Sequence, residues 1–353
     1  MKPLRILHVA NRAEHTLGKR YYAFQYKINN GFVRNGHNVY WFSDRDVAKN
    51  SGIIKSRKFG KGICNKKFIE FCKNFRPDVL ALSHADTITN ESIELVKSII
   101  PSVKVLQYNI DALFTESNVV SLKRRVGVVD CTFMTTAGKA LNLVGAKNAP
   151  ACFIPNLVDK SIDINRNFEK ISFDYDMFLM ARRSSWIDPH SLRALAFQSL
   201  ETDFPDNSVF MTEGLWGADL VDCLGRSKIG LNFNQMPPGQ IPGDGSALYM
   251  ASSDRVCLCL GNGLLTFSDA AFSLAALYGE NCIIDVESYD EFVDKAKYFL
   301  RNDSERIKIA KKGHDYIHAE HNEVLVTKYM IETLYDIKNT YNYCWPVDKF
   351  TNS

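Results

Sequence analysis

IGLNFNQMPPGQIPGDGSALYMASSDRVCLCLGNGLLTF, residues 229–267, is the stretch on which the reading of this chain turns. It starts as a short buried strand, Ile229 to Phe233, and opens into a loop rich in Gly and Pro. The loop passes through Ser252, Ser253, Asp254 and Arg255, enters an apolar helical run, and closes on a second strand, Leu264 to Phe267. Polar groups gathered between two buried strands predict a ligand site at the carboxyl ends of a parallel sheet, where open α/β folds bind their ligands.

Working outward, strands and helices alternate on both sides. Residues 4–10 form a first strand, helical periodicity runs from Gly18 to about Asn35, and Gly36 stands where a C-cap belongs before the strand Asn38 to Ser43. Strands at Asp78–Ser83, Val103–Tyr108, Asp130–Thr135 and Ala151–Ile154 follow, separated by helices near Lys66–Phe75, Glu91–Ile100 and Asn118–Val126. The polar stretch from Pro155 to about Lys170 reads as a linker. A second series starts with Tyr175–Met180 and Ser208–Thr212, takes in the opening stretch, and ends with Cys282–Val286 and two long helices. Such alternation predicts α/β architecture: two Rossmann-like, doubly wound parallel-sheet domains facing a cleft, with a helical C-terminus. The expected boundaries are 1–158, 159–335 and a tail, 336–353, that packs back on the first domain.

The 353 residues suit two domains, and 46% hydrophobic with 24% charged residues is an ordinary globular balance. No apolar run approaches the roughly 18 residues that span a bilayer. The N-terminus reads as a strand without a cleavage site, so a cytoplasmic protein is expected. Nine cysteines, mostly inside apolar runs, fit free buried thiols in a reducing compartment. A net charge of +3 argues against nucleic acid as a partner. Charge is locally uneven, however: residues 55–67 hold Lys55, Arg57, Lys58, Lys61, Lys66 and Lys67 and no acid. This basic segment reads as a solvated loop or as a contact with anionic membrane, at the inner face of the plasma membrane.

Arg182, Arg183, Ser184 and Ser185 follow the first strand of the second domain, where guanidinium forks and hydroxyls suit phosphate oxygens. Asn234, Ser252, Ser253, Asp254 and Arg255 join them on the same edge. One of Ser252, Ser253 and Asp254 can cap the helix that follows, and a cation at Arg255 opposes the helix dipole unless an anion lies close. His15, Asn109 and Asp111 follow strands of the first domain toward the same cleft, as a general base or a hold on an acceptor hydroxyl. No glycine-rich dinucleotide or P-loop fingerprint occurs. Asp44 and Asp46 end a strand without further ligands, Cys257-x-Cys259 lacks a second pair, and His314, His318 and His321 form a solvated or packed helical stripe. No metal and no cofactor are expected.

SSDRVCLCLGNGLLTF (252–267), CIIDVESYDEFVDKAKYFL (282–300) and RNDSERIKIAKKGHDYIHAEHN (301–322) together resemble the bacterial spore-maturation-type, or group 1, glycosyltransferases of the GT-B fold. The likeness covers roughly residues 174–334, and the first half resembles such enzymes in pattern alone. It implies a metal-independent transferase in which the first domain takes a glycan or lipid-linked acceptor of lipopolysaccharide or capsule type. The second would hold a nucleotide sugar against Arg182, Arg183, Ser184, Asn234, Ser252, Ser253, Asp254 and Arg255, with His15 and Asp111 at the acceptor. One departure stands out. Relatives commonly read Arg-Val-Phe-Glu where this chain has Arg255, Val256, Cys257 and Leu258, so the carboxylate thought to hold the donor ribose is missing. Three implications follow from that gap: Asp254 substitutes from next door, the donor carries an unusual nucleotide or sugar, or the site is degenerate and the chain is a non-catalytic binding module.

Overall fold

The computed structural model describes residues 2–52, 55–182, 188–205 and 208–351. In the first half, β1 (Arg5–Val9), α1 (Phe24–Arg34), β2 (Asn38–Phe42), α2 (Asp44–Asn50), α3 (Arg57–Phe75), β3 (Val79–Ser83), α4 (Asn90–Ile99), β4 (Lys104–Asn109), α5 (Glu116–Lys123), β5 (Cys131–Met134) and β6 (Ala151–Phe153) follow in order. The second half contains β7 (Tyr175–Met180), α6 (Leu192–Asp203), β8 (Val209–Thr212), α7 (Ala218–Gly225), β9 (Ser227–Asn232), α8 (Asp254–Gly261), β10 (Leu265–Asp269), α9 (Leu274–Tyr278), β11 (Ile284–Val286), α10 (Tyr289–Arg301), α11 (Asp303–Glu320), α12 (Glu323–Leu334) and β12 (Lys349–Phe350).

These elements form two sheets, ordered β12-β6-β5-β4-β3-β1-β2 and β11-β10-β9-β7-β8. Every pairing is parallel except that of β12 with β6. Strands buried on both faces explain the continuous apolar runs, such as VLALS in β3, that mark them in the sequence. Strand order reverses between β1 and β3 in the first sheet and between β7 and β9 in the second. Each reversal opens a crevice at the carboxyl ends of the strands.

Several expectations need correction. The first helix begins at Phe24, not Gly18, because residues 10–23 form a loop with left-handed turns at Ala13 and Leu17. Its aromatic residues Tyr21 and Tyr22 pack instead against Leu258 and Trp216 of the second domain. The basic segment is no loop: from Arg57 onward it is the N-terminal part of α3. The presumed linker is exposed only in part: Lys160, Ser161, Ile164, Arg166 and Glu169 face solvent. Other polar residues are bonded inward, with the Lys27 ammonium donating to both Asp163 carboxylate oxygens at 3.0 and 2.7 Å, Arg34 to Asp159 at 2.7 Å, and the Asn167 amide to the carbonyls of Leu224 and Ser227.

Glu323–Leu334, which a boundary at residue 335 assigns to the second domain, crosses back to pack on α1. Gly31 permits that contact, since a Cβ there would lie 2.2 Å from the Glu323 carbonyl oxygen. Asn322 caps α12 by accepting from the amides of Val324 and Leu325 at 3.1 and 3.0 Å, which turns the chain sharply after α11. The tail then runs along the first domain to β12. Of the two readings of the histidine stripe the packed one holds for His321, at the C-terminal end of α11, which is fully buried edge-on to Trp345. Eight of the nine free cysteines are buried and Cys344 is exposed.

The opening stretch also does more than line one domain. The loop between β9 and α8 lies on the first domain through backbone bonds from Ala137 to Tyr249, Lys139 to Asp244 and Ser252 to Thr135. Leu248, Met250, Val256 and Leu260 share one apolar cluster with Phe24, Ile28 and Leu141. The core of the first domain therefore continues into α8 of the second.

Candidate active site in the interdomain cleft

Two cavities sit at the two strand-order reversals. The first, about 240 Å³, lies at the ends of β1 and β3 and is bounded by Asn11, His15, Arg20, His84, Tyr108 and Ile110, among others. The second, about 180 Å³, is bounded by Ile110, Asp111 and Phe114 from the first domain and by Arg193, Asn234, Ser252, Ser253 and Arg255 from the second. Ile110 borders both, so the two adjoin.

Arg255, in the first turn of α8, is buried. Its guanidinium donates to the carbonyls of Met180 and Phe233 at 2.7 and 3.0 Å and to Asn234 Oδ1 at 3.0 Å, while Nε has no partner among the described residues. Arg193, at the start of α6, is likewise buried; it donates to the Arg182 carbonyl, and its Nε is also unpartnered among the described residues. Burial, and then repulsion from Arg193, pull the Arg255 pKa down to about 9. Burial pulls Arg193 down to about 10, against the opposing charge of Glu213. Both stay charged at neutral pH. Two buried guanidiniums that repel each other, with unspent donors, at the end of a parallel sheet and beside a helix N-terminus, make a site that an anion stabilises.

The predicted residues distribute unevenly around this pair. Asn234 and Ser253 are committed to positioning: Asn234 donates to the Ala251 carbonyl at 3.2 Å, and Ser253 Oγ donates to Asn232 at 3.0 Å. Ser252 Oγ accepts from Asn156 at 2.6 Å. Ser253 occupies the N-cap position of α8 without a side-chain capping bond, so the expected hydroxyl cap is not made. Arg182 is exposed and contributes its carbonyl to Arg193, outside the residues bordering the cavity. Arg183 and Ser184 lie outside the described residues.

Asp254 is diverted from the cavity altogether. Its carboxylate accepts the backbone N–H of Phe24 at the start of α1, and burial, with Asp111 and Asp163 adding to it against Lys27, raises its pKa to about 6. A folded-state pKa above the ordinary 3.8 means that folding takes up a proton. The stability Asp254 contributes is complete below 3.8 and is lost as pH rises through about 6. Asp254→Asn, which keeps an acceptor for Phe24, is therefore expected to be more stable than the parent at about pH 8 and to lose that advantage by about pH 4. Thermal melts at the two pH values check this; a constant difference would refute the assigned titration. Leu258 is buried among Tyr22, Leu220 and Cys223, so the position of the family carboxylate serves packing between domains.

On the acceptor side, His15 and Asp111 are both largely exposed, and they border different cavities. Asp111 is paired with His84, 3.8 Å away. His84, held in a left-handed conformation just after β3, carries no sequence signal beyond its place at a strand end. Arg193 is likewise concealed, because within LRALAFQSLETD it reads as one more helix residue. Asn109 is occupied by Asn118 and by the amide of Asp111. Asp44 and Asp46 are helix-start carboxylates bonded to Thr87 and to Ser43 with the Glu14 amide, and among the described residues no group of three or more His, Cys, Asp or Glu is placed to hold a metal.

Residues 183–331 match the family described as glycosyl transferase-like. The chain has the GT-B fold. Solved structures with the same two-domain fold include sucrose-phosphate synthase from Thermosynechococcus elongatus, at 11% identity and a TM-score of 0.59 over 94% of this chain and 98% of that one. A glycosyltransferase from Rickettsia africae gives 13%, 0.57, 97% and 100% by the same measures. Anabaena HepE in complex with UDP-glucose gives 12%, 0.53, 95% and 100%. No curated protein matches the sequence. The family match begins after β7 and takes in the rest of the second sheet, while the likeness of fold extends over both domains.

Proposed function

We propose that the cleft transfers a sugar from a nucleotide donor to a hydroxyl of a cell-surface glycan or lipid-linked acceptor. The observation that carries this reading is the pair of buried guanidiniums, Arg193 and Arg255, whose Nε atoms have no partner among the described residues, at the strand-order reversal of the second domain. A leaving diphosphate placed there gains preorganised positive charge in a poorly solvated pocket, which is where electrostatic catalysis is strongest. The first-domain cavity would present the acceptor, with His15 and the Asp111–His84 pair nearest to its hydroxyl. Metal independence belongs to the same reading, since the two arginines do the work of a cation. The lysines of α3, Lys58, Lys61, Lys66 and Lys67, would draw the enzyme toward anionic lipid. Among the described residues no helix is long and apolar enough to cross a membrane.

HepE was solved with UDP-glucose, so uridine diphosphate sugars are the first donors to test. Thermal melts in the presence of a chelator, across nucleotides and nucleotide sugars, are expected to show stabilisation by one base and one sugar. A ligand at 100 times its Kd adds about 2.7 kcal/mol. No shift with any nucleotide would remove the donor assignment and favour the non-catalytic module, for which the loss of the family carboxylate at Leu258 speaks.

A further inference from the structure

A third cavity, about 380 Å³, lies beside the acceptor cavity and shares Asn11, His15 and Arg45 with it. Its remaining border is Asp46, Lys49, Lys55 and Arg57. Arg45 and Lys49 stand at the two ends of the short helix α2, one turn apart, Lys55 just precedes α3 and Arg57 opens it, so α2 and the entry to α3 bring four cations to one hollow. Two carboxylates oppose them, and both are engaged. Asp46 accepts from Ser43 Oγ at 2.5 Å and from the Glu14 amide at 3.2 Å, and lies 3.9 Å from His15. Asp86 takes the Arg45 Nε–H at 2.8 Å. Lys49, Lys55 and Arg57 make no ion pair among the described residues, so positive charge is in excess beside the acceptor site.

The same end of α3 exposes apolar surface. Phe59 is 67% and Ile63 41% exposed, one turn apart, with Lys66 in line on the helix and Lys55 just before its start. An aromatic and an aliphatic side chain flanked by lysines suit the boundary between lipid headgroups and acyl chains. The apolar pair and the cationic hollow thus form a path from a bilayer surface to the cleft.

Resting on the glycosyltransferase reading above, we infer that the acceptor carries a phosphate on a membrane-borne lipid, and that Arg45, Lys49, Lys55 and Arg57 hold that phosphate while the sugar-accepting hydroxyl reaches the His15 side of the cleft. Ammonium and guanidinium donors bind a phosphate by charge-assisted hydrogen bonds, and the hollow's position orients the lipid away from the donor.

Vesicle co-sedimentation tests this, with phosphatidic acid mixed equally with phosphatidylcholine as the simplest membrane-borne phosphomonoester. The protein is expected to bind these vesicles and to leave pure phosphatidylcholine unbound. Lys49→Glu/Lys55→Glu alters the hollow, whereas Lys147→Glu/Lys308→Glu makes the same charge change on exposed lysines outside both the hollow and α3. The hollow variant is expected to bind about tenfold more weakly than the control variant, as for one lost charge-assisted hydrogen bond. Equal losses would reduce the hollow to general surface charge and overturn the assignment. Failure of the parent protein to bind the vesicles would overturn it too. So would stabilisation by inorganic pyrophosphate, abolished in the hollow variant, in a protein that ignores vesicles, because the phosphate would then belong to a soluble molecule. Nucleotide stabilisation should persist in both variants, which separates failure of this inference from failure of the donor assignment.

Discussion

Arg255→Ala is expected to weaken nucleotide binding by about 100-fold, the equivalent of two lost charge-assisted hydrogen bonds at the low end of their range. The side chain also ties the carbonyls of Met180 and Phe233 and the amide of Asn234 to α8. Removing it leaves buried acceptors unpaired, so a loss of stability of about 2–4 kcal/mol should accompany the loss of affinity. Arg193→Ala separates the two effects, because its described side-chain bond is a single one, to the Arg182 carbonyl. The phosphate site predicts that Arg193→Ala loses affinity with a smaller cost in stability. Isothermal calorimetry on both variants, with melting curves to confirm folding, decides the matter; unchanged affinity in Arg255→Ala would sink the donor site.

Lys27→Met is expected to destabilise the protein by about 3–5 kcal/mol, the usual consequence of stranding one member of a buried ion pair. The Asp163 side chain is fully buried, accepts from the Asp159 amide as well as from Lys27, and would keep an uncompensated charge. Lys27 belongs to α1 and Asp163 to the segment joining the sheets, so the pair fastens one domain to the other. Burial lowers the ammonium pKa, but Asp163 outweighs it and holds the pKa above 10.5. The stabilisation is therefore complete below 10.5 and fades only as pH rises beyond it. Lys27→Met/Asp163→Asn should recover much of the loss, since neutralising both partners removes the stranded charge. Urea unfolding measures both. A single variant within about 0.5 kcal/mol of the parent, as for an ordinary surface substitution, would show that the pair does not fasten the domains.

The buried Lys27–Asp163 pair also shows what the composition of the segment 155–170, which does join the two sheets, leaves out. Asp159, Asp163, Asn165 and Asn167 have the composition of a solvated linker, and composition reports how polar a residue is, not whether a distant chain supplies its partner. Asp159 meets Arg34, Asp163 meets Lys27 and Asn165 meets Asn262, each bond spanning nearly a hundred residues or more. The same limit concealed Arg193 and His84, which carry no local motif, and sent Asp254 to the start of α1 instead of to the donor cavity.

By itself the sequence determined the architecture: short continuous apolar strands alternating with helical segments leave two parallel sheets as the way to bury them, and residues 229–267 mark a strand end in the second sheet. It also placed Arg255 at a helix start, where a cation is unfavourable without an anion. The tertiary structure alone decided that the loop of that stretch docks on the first domain, that α12 crosses back to α1, and that Arg193 joins Arg255. The physical reason is range. Periodicity and capping are set by neighbours within a few residues, whereas the pairing of buried charges depends on which surfaces the two sheets bring together.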